Sequence, residues 1–257
     1  MIKDFNGYNL KMTAAMNDKL FFVNKIDLKS YDLIVDFGCA TGELLRRLLP
    51  YINKKEKVQL VGYDISEEML SVARTNVPGE GDNFETDLVN SREGIMWHLR
   101  NCTKSLIIFS SVLHEIDAVT QRKLIRELMP YFDTIVIRDM KRPFNNEPID
   151  ALTRKRVLKQ VAPWQAQMFE SKWGKIRDKE TLYRFFLMNE FVENFEREVE
   201  EDYFSVLWSE IDWALEGDYT IWSESFILPY RREQVKKRFN HTMHDITHRK
   251  AIYNKMK

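Results

Sequence analysis

The stretch Leu33-Ile-Val-Asp36-Phe-Gly38-Cys39-Ala40-Thr-Gly42 constrains this chain more than any other part of it. An apolar, partly β-branched run ends in an acid and turns through two glycines. It then meets Glu43-Leu-Leu-Arg-Arg-Leu-Leu49, where leucines recur at helical spacing. The pattern predicts a strand, a tight loop and the start of a helix. Glycines in such a loop let a ligand come close to the main chain and its N–H groups. The remaining elements are expected to arrange chemistry around a small molecule lying over residues 38–42.

A second unit of the same kind follows. Val58-Gln-Leu-Val-Gly-Tyr63 reads as a strand ending at Asp64, and Ser66 is placed to cap a helix that opens with Glu67 and Glu68. Asp64 lies 22 residues beyond Gly42, near the spacing at which an acid ending the second strand reaches ribose hydroxyls. A short strand over 83–86 ends at Asp87, a fourth over 105–109 runs into Ser110, and a fifth spans 134–139. Between the last two, Asp117 caps a helix that stops at Pro130. Strands alternating with helices imply parallel pairing, right-handed crossovers and a ligand outside the carboxyl ends of the strands. Ahead of them, residues 9–26 are expected to form a lead-in helix that packs on the sheet through Leu10, Ala14, Ala15, Leu20, Phe21 and Val23.

Past Met140 the rhythm turns helical, with Leu182, Phe185, Phe186 and Phe191 and then Val206, Leu207, Ile211, Ala214 and Leu215 at helical intervals. Trp164, Trp173, Trp208 and Trp213 are expected to serve mainly as core. Residues 219–228 and 247–255 return to strand-like alternation, separated by a basic helix over 231–239. The expected fold is α/β: a Rossmann-like, doubly wound, seven-stranded and mostly parallel sheet with one antiparallel strand at its edge. Residues 1–139 and 217–257 form that domain, and 140–216 form a helical insertion facing the substrate.

Composition narrows the function. With 39 basic and 39 acidic side chains in 257 residues, the chain carries no bulk charge that would draw it to nucleic acid or an anionic membrane. Cys39 and Cys102 form no CxxC pair, and no apolar leader or membrane-length run is present, so a cytoplasmic location is expected. Nothing near Cys39 in sequence would activate its thiol. The acidic run 190–202 and the cluster Arg231, Arg232, Lys236, Lys237 and Arg238 read as solvated helix faces, the latter keeping RNA open as a partner. His241, His244 and His248 have ligand-like spacing but no accompanying cysteine, and no metal is expected.

Taken together, Asp36-x-Gly38-x-Ala40-x-Gly42, Asp64, Asp87 and the segment from Ser110 onward resemble the class I S-adenosylmethionine-dependent methyltransferases over about residues 30–139. The segments 109–116 and 135–139 resemble bacterial members of that superfamily. The resemblance implies S-adenosyl-L-methionine as cofactor, with Gly38, Ala40 and Gly42 beneath its methionine part and Asp36 supporting the loop. It places Asp64 at the ribose and Asp87 at the adenine amino group, and Cys39, Ile65, Met69, Leu88 and Ser110 complete the expected cofactor-binding set. Ala40 stands where a middle glycine is usual. A nicotinamide dehydrogenase would need G-x-G-x-x-G, which this loop lacks.

An activated sulfonium methyl needs an aligned acceptor, and a hydroxyl acceptor usually needs a base. His114 and Glu115, just beyond the fourth strand, are the candidate catalytic residues, followed by Arg138 and Asp139. The expected acceptor is a small molecule attacking through oxygen or nitrogen. RNA, protein, or a non-catalytic cofactor-binding regulator are the alternatives. DNA is disfavoured, because the chain lacks both the Asp/Asn-Pro-Pro-Tyr pattern and a Pro-Cys pair.

Overall fold

The apolar runs pair as expected in a computed structural model that describes residues 16–52, 57–190 and 192–256. The strands are β1 (Leu33–Phe37), β2 (Val58–Tyr63), β3 (Glu80–Gly81), β4 (Phe84–Val89), β5 (Ser105–Ser110), β6 (Thr134–Met140), β7 (Tyr219–Phe226) and β8 (His248–Lys255). They form one sheet in the order β3-β4-β2-β1-β5-β6-β8-β7. β1 pairs in parallel with β2 and β5, β2 with β4, and β5 with β6. Every residue of β1, β5 and β6 is buried, which is why the middle of each strand reads as an apolar run, with polar residues such as Asp36, Ser110, Arg138 and Asp139 towards the carboxyl ends.

Two details differ from the seven-stranded expectation. The eighth strand is β3, a two-residue antiparallel partner of β4, too short to leave a periodic signal. The antiparallel strand contributed by the end of the chain, β8, is also not at the edge. Lys255 N–H donates to Asp133 O and Lys141 N–H to Thr247 O, so β8 runs against β6 and sits inside β7. Burial explains the order, since β8 is largely buried whereas β7 exposes much of its length, as an edge strand does.

The described residues divide into two compact units. The first holds the chain through Asp139, Leu207–Ser223 and the segment from Lys250 onward. Its helices are α1 (Met16–Lys19), α2 (Glu43–Leu48), α3 (Glu67–Asn76), α4 (Arg92–Leu99) and α5 (Ala118–Glu127). Ser66, Ser91 and Asp117 cap α3, α4 and α5 by accepting backbone N–H groups of the first turn. Its core gathers Phe22, Ile34, Leu45, Leu60, Ile108 and Val136, among others.

The second unit comprises Met140–Val206 and Glu224–Arg249. It contains α6 (Ala151–Leu158), α7 (Pro163–Trp173), α8 (Lys179–Met188) and α9 (Phe195–Glu198). A further helix, α10 (Trp208–Leu215), belongs to the first unit, and α11 (Pro229–Phe239) to the second. Phe169, Phe185, Phe186, Phe195, Tyr203 and Phe239 dominate the core of the second unit. Set beside the expected insertion 140–216, this unit starts at the same residue, Met140, and differs in its later bounds. Residues 207–216 join the sheet unit, where Gln121 Oε1 accepts Leu207 N–H at 3.0 Å and Arg122 pairs with Glu210 at 2.8 Å. Residues 224–249 join the helical unit.

The expected lead-in helix also ends earlier, at Lys19 rather than Ile26. Residues 9–15, with Leu10, Ala14 and Ala15, lie outside the described residues, as does Phe191. From Leu20 to Ile26 the chain leaves the helix in successive turns. Leu20, Phe21, Phe22 and Val23 are contiguous rather than helically spaced, and turning is what allows Phe22 to be fully buried. Among the described residues, no helix is long and apolar enough to cross a membrane.

Candidate functional site

Three left-handed residues shape the loop after β1: Gly38 (φ 78°), Ala40 (φ 45°) and Gly42 (φ 76°). Gly38 and Cys39 N–H both donate to Tyr63 O, and Gly42 N–H donates back to Cys39 O. The glycines are also required by their neighbours. A Cβ on Gly38 would lie 2.4 Å from Val112 Cγ2, and one on Gly42 would lie 2.4 Å from Val77 Cγ2. Ala40 carries its methyl group into solvent, so it meets no clash and costs only the backbone strain of an L-residue, about 1–2 kcal/mol.

Asp64 offsets that strain. Its Oδ2 accepts Ala40 N–H at 2.9 Å and its Oδ1 accepts Ser66 N–H at 2.9 Å, tying the loop to the start of α3. Each carboxylate oxygen has a further lone pair for a ligand.

Behind the loop lies a buried charge cluster. Asp36 is 2% exposed, and burial pushes its carboxyl up to about 7 against the pull of Lys19. Burial lowers Lys19 to about 8, Arg138 adds to the fall, and Asp36, Asp139 and Glu115 oppose it. The adjacent Asp18 pairs with Arg138 at 2.8 Å and with Lys250, and Arg138 also donates to Ser111 Oγ at 2.6 Å.

A second pair stands where β5 and β6 end. His114 Nδ1 is 2.7 Å from Asp139 Oδ1, and both side chains are buried. Asp139 Oδ2 accepts the N–H groups of Val112 (3.1 Å) and Leu113 (2.7 Å), which fixes the carboxylate against the turn bearing the histidine. With the Asp139 carboxylate as acceptor, Nδ1 is the ring nitrogen that donates to it.

Residues 34–134 match the family model of a methyltransferase domain. That segment, which carries the glycine loop, Asp64, Asp87 and Ser110, therefore matches a methyltransferase domain. The fold of the chain is similar to that of a SAM-dependent methyltransferase from Archaeoglobus fulgidus, with 13% identity, a TM-score of 0.50, and coverage of 96% of this chain and 100% of that one. It is also similar to an O-methyltransferase family protein from Burkholderia thailandensis, with 11% identity, a TM-score of 0.52, and coverage of 96% and 58%. A third likeness is to the pyocyanin biosynthetic protein PhzM, with 14% identity, a TM-score of 0.51, and coverage of 99% and 60%. No curated protein matches the chain.

The structure brings most of the expected residues together. Gly38, Cys39, Ala40, Gly42 and Asp64 form one hydrogen-bonded unit. Cys39 is buried, and burial pushes its thiol far up, so it packs rather than reacts. Ile65 is 82% exposed beside Asp64, and Met69 sits half-buried in the first turn of α3. Ser110 Oγ is buried and has no hydrogen-bond partner among the described residues. Asp87 lies within β4, opposite Val61 rather than beyond the strand end, and His98 Nε2 holds it at 3.0 Å. Leu88 turns inward against Gly62 and the core. Glu115 is exposed next to His114.

The basic run of α11 does not form one patch. Arg231 is buried in a pair with Glu190, and Arg238 donates to Asn189 O, while Arg232, Lys236 and Lys237 are exposed. Of the three spaced histidines, His248 opens β8 and bonds Thr247 Oγ1. Sequence reasoning missed Lys19 and Val112. The one signal for Lys19 was Asp36 itself, because an acid inside a fully buried strand has to meet a cation or neutralise.

Proposed function

We propose that this protein holds S-adenosylmethionine over residues 38–42 and transfers its methyl group to an oxygen or nitrogen nucleophile of a small molecule, with His114 as general base. The observation that carries the reading is the buried His114–Asp139 pair, 2.7 Å apart at the carboxyl ends of β5 and β6, where parallel α/β sheets bind ligands.

The residues present fit the cofactor. Asp64 has acceptor capacity for the ribose hydroxyls beyond its two backbone bonds. The exposed Ile65 side chain offers an apolar surface for adenine, and Asp87, oriented by His98, is assigned to the adenine amino group. The partnerless Ser110 hydroxyl is a buried polar atom that a ligand can satisfy. Bound there, the cofactor supplies a methyl group already activated by its sulfonium. Asp139 keeps His114 in the tautomer that accepts a proton at Nε2, and Asp139 stabilises the imidazolium once the acceptor's proton has moved there. Glu115 is assigned to orienting the acceptor. The absence of net charge favours a small acceptor over a polyanion.

Calorimetry with S-adenosylhomocysteine tests the first half. Binding by the parent chain and a loss of tenfold or more in Asp64→Ala are expected; no binding by the parent would overturn the cofactor assignment. Transfer from a methyl-labelled cofactor to panels of phenols, amines and RNA tests the second. His114→Ala and Asp139→Asn should lower turnover by about 10²-fold or more while S-adenosylhomocysteine affinity stays within about threefold. Unchanged turnover in both variants would remove His114 from the mechanism, and labelling confined to RNA would overturn the small-molecule reading.

A further inference from the structure

The helical unit contains a cavity of its own. About 400 Å³ lies between the C-terminal end of α8 and one face of α11, a size ordinary for small-molecule sites. Its wall is apolar, formed by Leu187, Val235 and Met243 with two aromatic rings, Phe186 and Phe239. The Phe186 and Phe239 rings pack with centroids 4.8 Å apart at 38°, presenting flat surface rather than flexible chain.

The lip of the cavity is cationic. Arg231, Lys237 and Arg238 stand there against a single acid, Glu190, which is taken up by Arg231 in a buried pair. Lys237 and Arg238 have no carboxylate within 4.0 Å among the described residues. Lys237 is exposed, but Arg238 is half-buried. Its Nη1 donates to Asn189 O at 2.5 Å and its Nη2 lies 3.4 Å from Asn189 Oδ1. Asn189 is in turn fixed by an Nδ2 bond to Phe185 O at 3.0 Å, and 1% of it is exposed. The guanidinium is thus held in place by neutral oxygens at the mouth of an apolar cavity. Burial without a counter-charge lowers its pKa, the sign of a cation whose electrostatic environment is incomplete.

We propose that this cavity is a binding site for a flat apolar molecule bearing one anionic group, such as an aromatic carboxylate. Its ring packs against Phe186 and Phe239, and its carboxylate meets Arg238 and Lys237. Arg238 provides the directional contact, since a guanidinium pairs with a carboxylate through two parallel N–H bonds. Lys237 adds charge from solvent. The ring supplies most of the affinity and the anion supplies selectivity.

The test is titration calorimetry on the full chain with 1-naphthoate and its neutral analogue 1-naphthamide. The carboxylate should bind with Kd below about 1 mM and the amide at least tenfold more weakly. Lys237→Gln and Gln234→Glu alter exposed residues at the lip and should retain the parent's melting temperature. They are expected to weaken naphthoate by about threefold and tenfold respectively, leaving naphthamide unchanged. Arg238→Gln should abolish the preference for the acid. Failure to bind naphthoate at millimolar concentration, equal affinity for acid and amide, or parent affinity in all three variants would each overturn the proposal.

Discussion

Replacing Gly38 by alanine separates two reasons for the glycine that the sequence pattern runs together. The first is conformational: φ of 78° in an L-residue costs about 1–2 kcal/mol, reduced by about 0.5–1 kcal/mol because alanine also restricts the unfolded chain. The second is steric, because the new Cβ would fall 2.4 Å from Val112 Cγ2 and 2.9 Å from Val112 Cβ. Relieving that overlap requires displacing a branched side chain on the turn that also carries His114, at about 1–3 kcal/mol. The single variant should therefore lose about 1–4 kcal/mol in total. Val112→Ala alone removes two methyl groups from a half-buried position and should lose about 1 kcal/mol.

If both reasons hold, Gly38→Ala/Val112→Ala retains the conformational cost and the close approach to the Cβ of residue 112, and loses the larger overlap with Val112 Cγ2. The double variant should then be more stable than the sum of the singles by about 1–2 kcal/mol. Urea unfolding followed by circular dichroism reads all four corners of the cycle. Additivity to within about 0.5 kcal/mol would refute the steric argument and leave the glycine explained by its backbone angle alone.

Further predictions follow from the buried charges and the caps. Asp36, raised from 3.8 to about 7, contributes stability that is present below about pH 4 and lost as pH rises through 7. Lys19, lowered from 10.5 to about 8, contributes stability present above about pH 10.5 and lost as pH falls through 8. The two slopes have opposite signs, so this pair puts its least favourable contribution between pH 7 and 8. Melting temperatures from pH 5 to 9 should show a shallower profile in Lys19→Met/Asp36→Asn, and an unchanged profile would contradict the assignment. Ser91→Ala removes the acceptor of Gly94 N–H at 3.3 Å and should cost about 1 kcal/mol, read as a fall of about 2–4 °C in melting temperature. No measurable shift would show that Ser91 does not cap α4.

The parts of this protein that were legible in the sequence are those whose meaning is local. The central strands read correctly because both faces of a parallel sheet are buried, so the residues in them must be apolar irrespective of their neighbours. Gly38 and Gly42 read correctly because a left-handed turn imposes its demand on the residue that occupies it. The place of β8 between β6 and β7 could not be read, since no period in the chain records which edge a returning strand enters. Nor could the partner of Asp87, because His98 reaches it only once α4 has packed against β4.

Lys19 is the instructive case. In a lead-in segment rich in apolar residues, a lysine is ordinarily taken as a solvated spacer, and nothing within its own turn contradicts that. The contradiction lies at Asp36, in a strand whose every residue is buried. A carboxylate there cannot be solvated, so its position obliges some cation to be buried with it, and the lead-in segment has to bring one to the strand ends. Read in that direction, the acid of the glycine motif specifies more than the loop it precedes. The chain leaves its helix after Lys19 with both Lys19 and Phe22 buried, and the charge of Lys19 pulls the Asp36 carboxyl down against the effect of its burial.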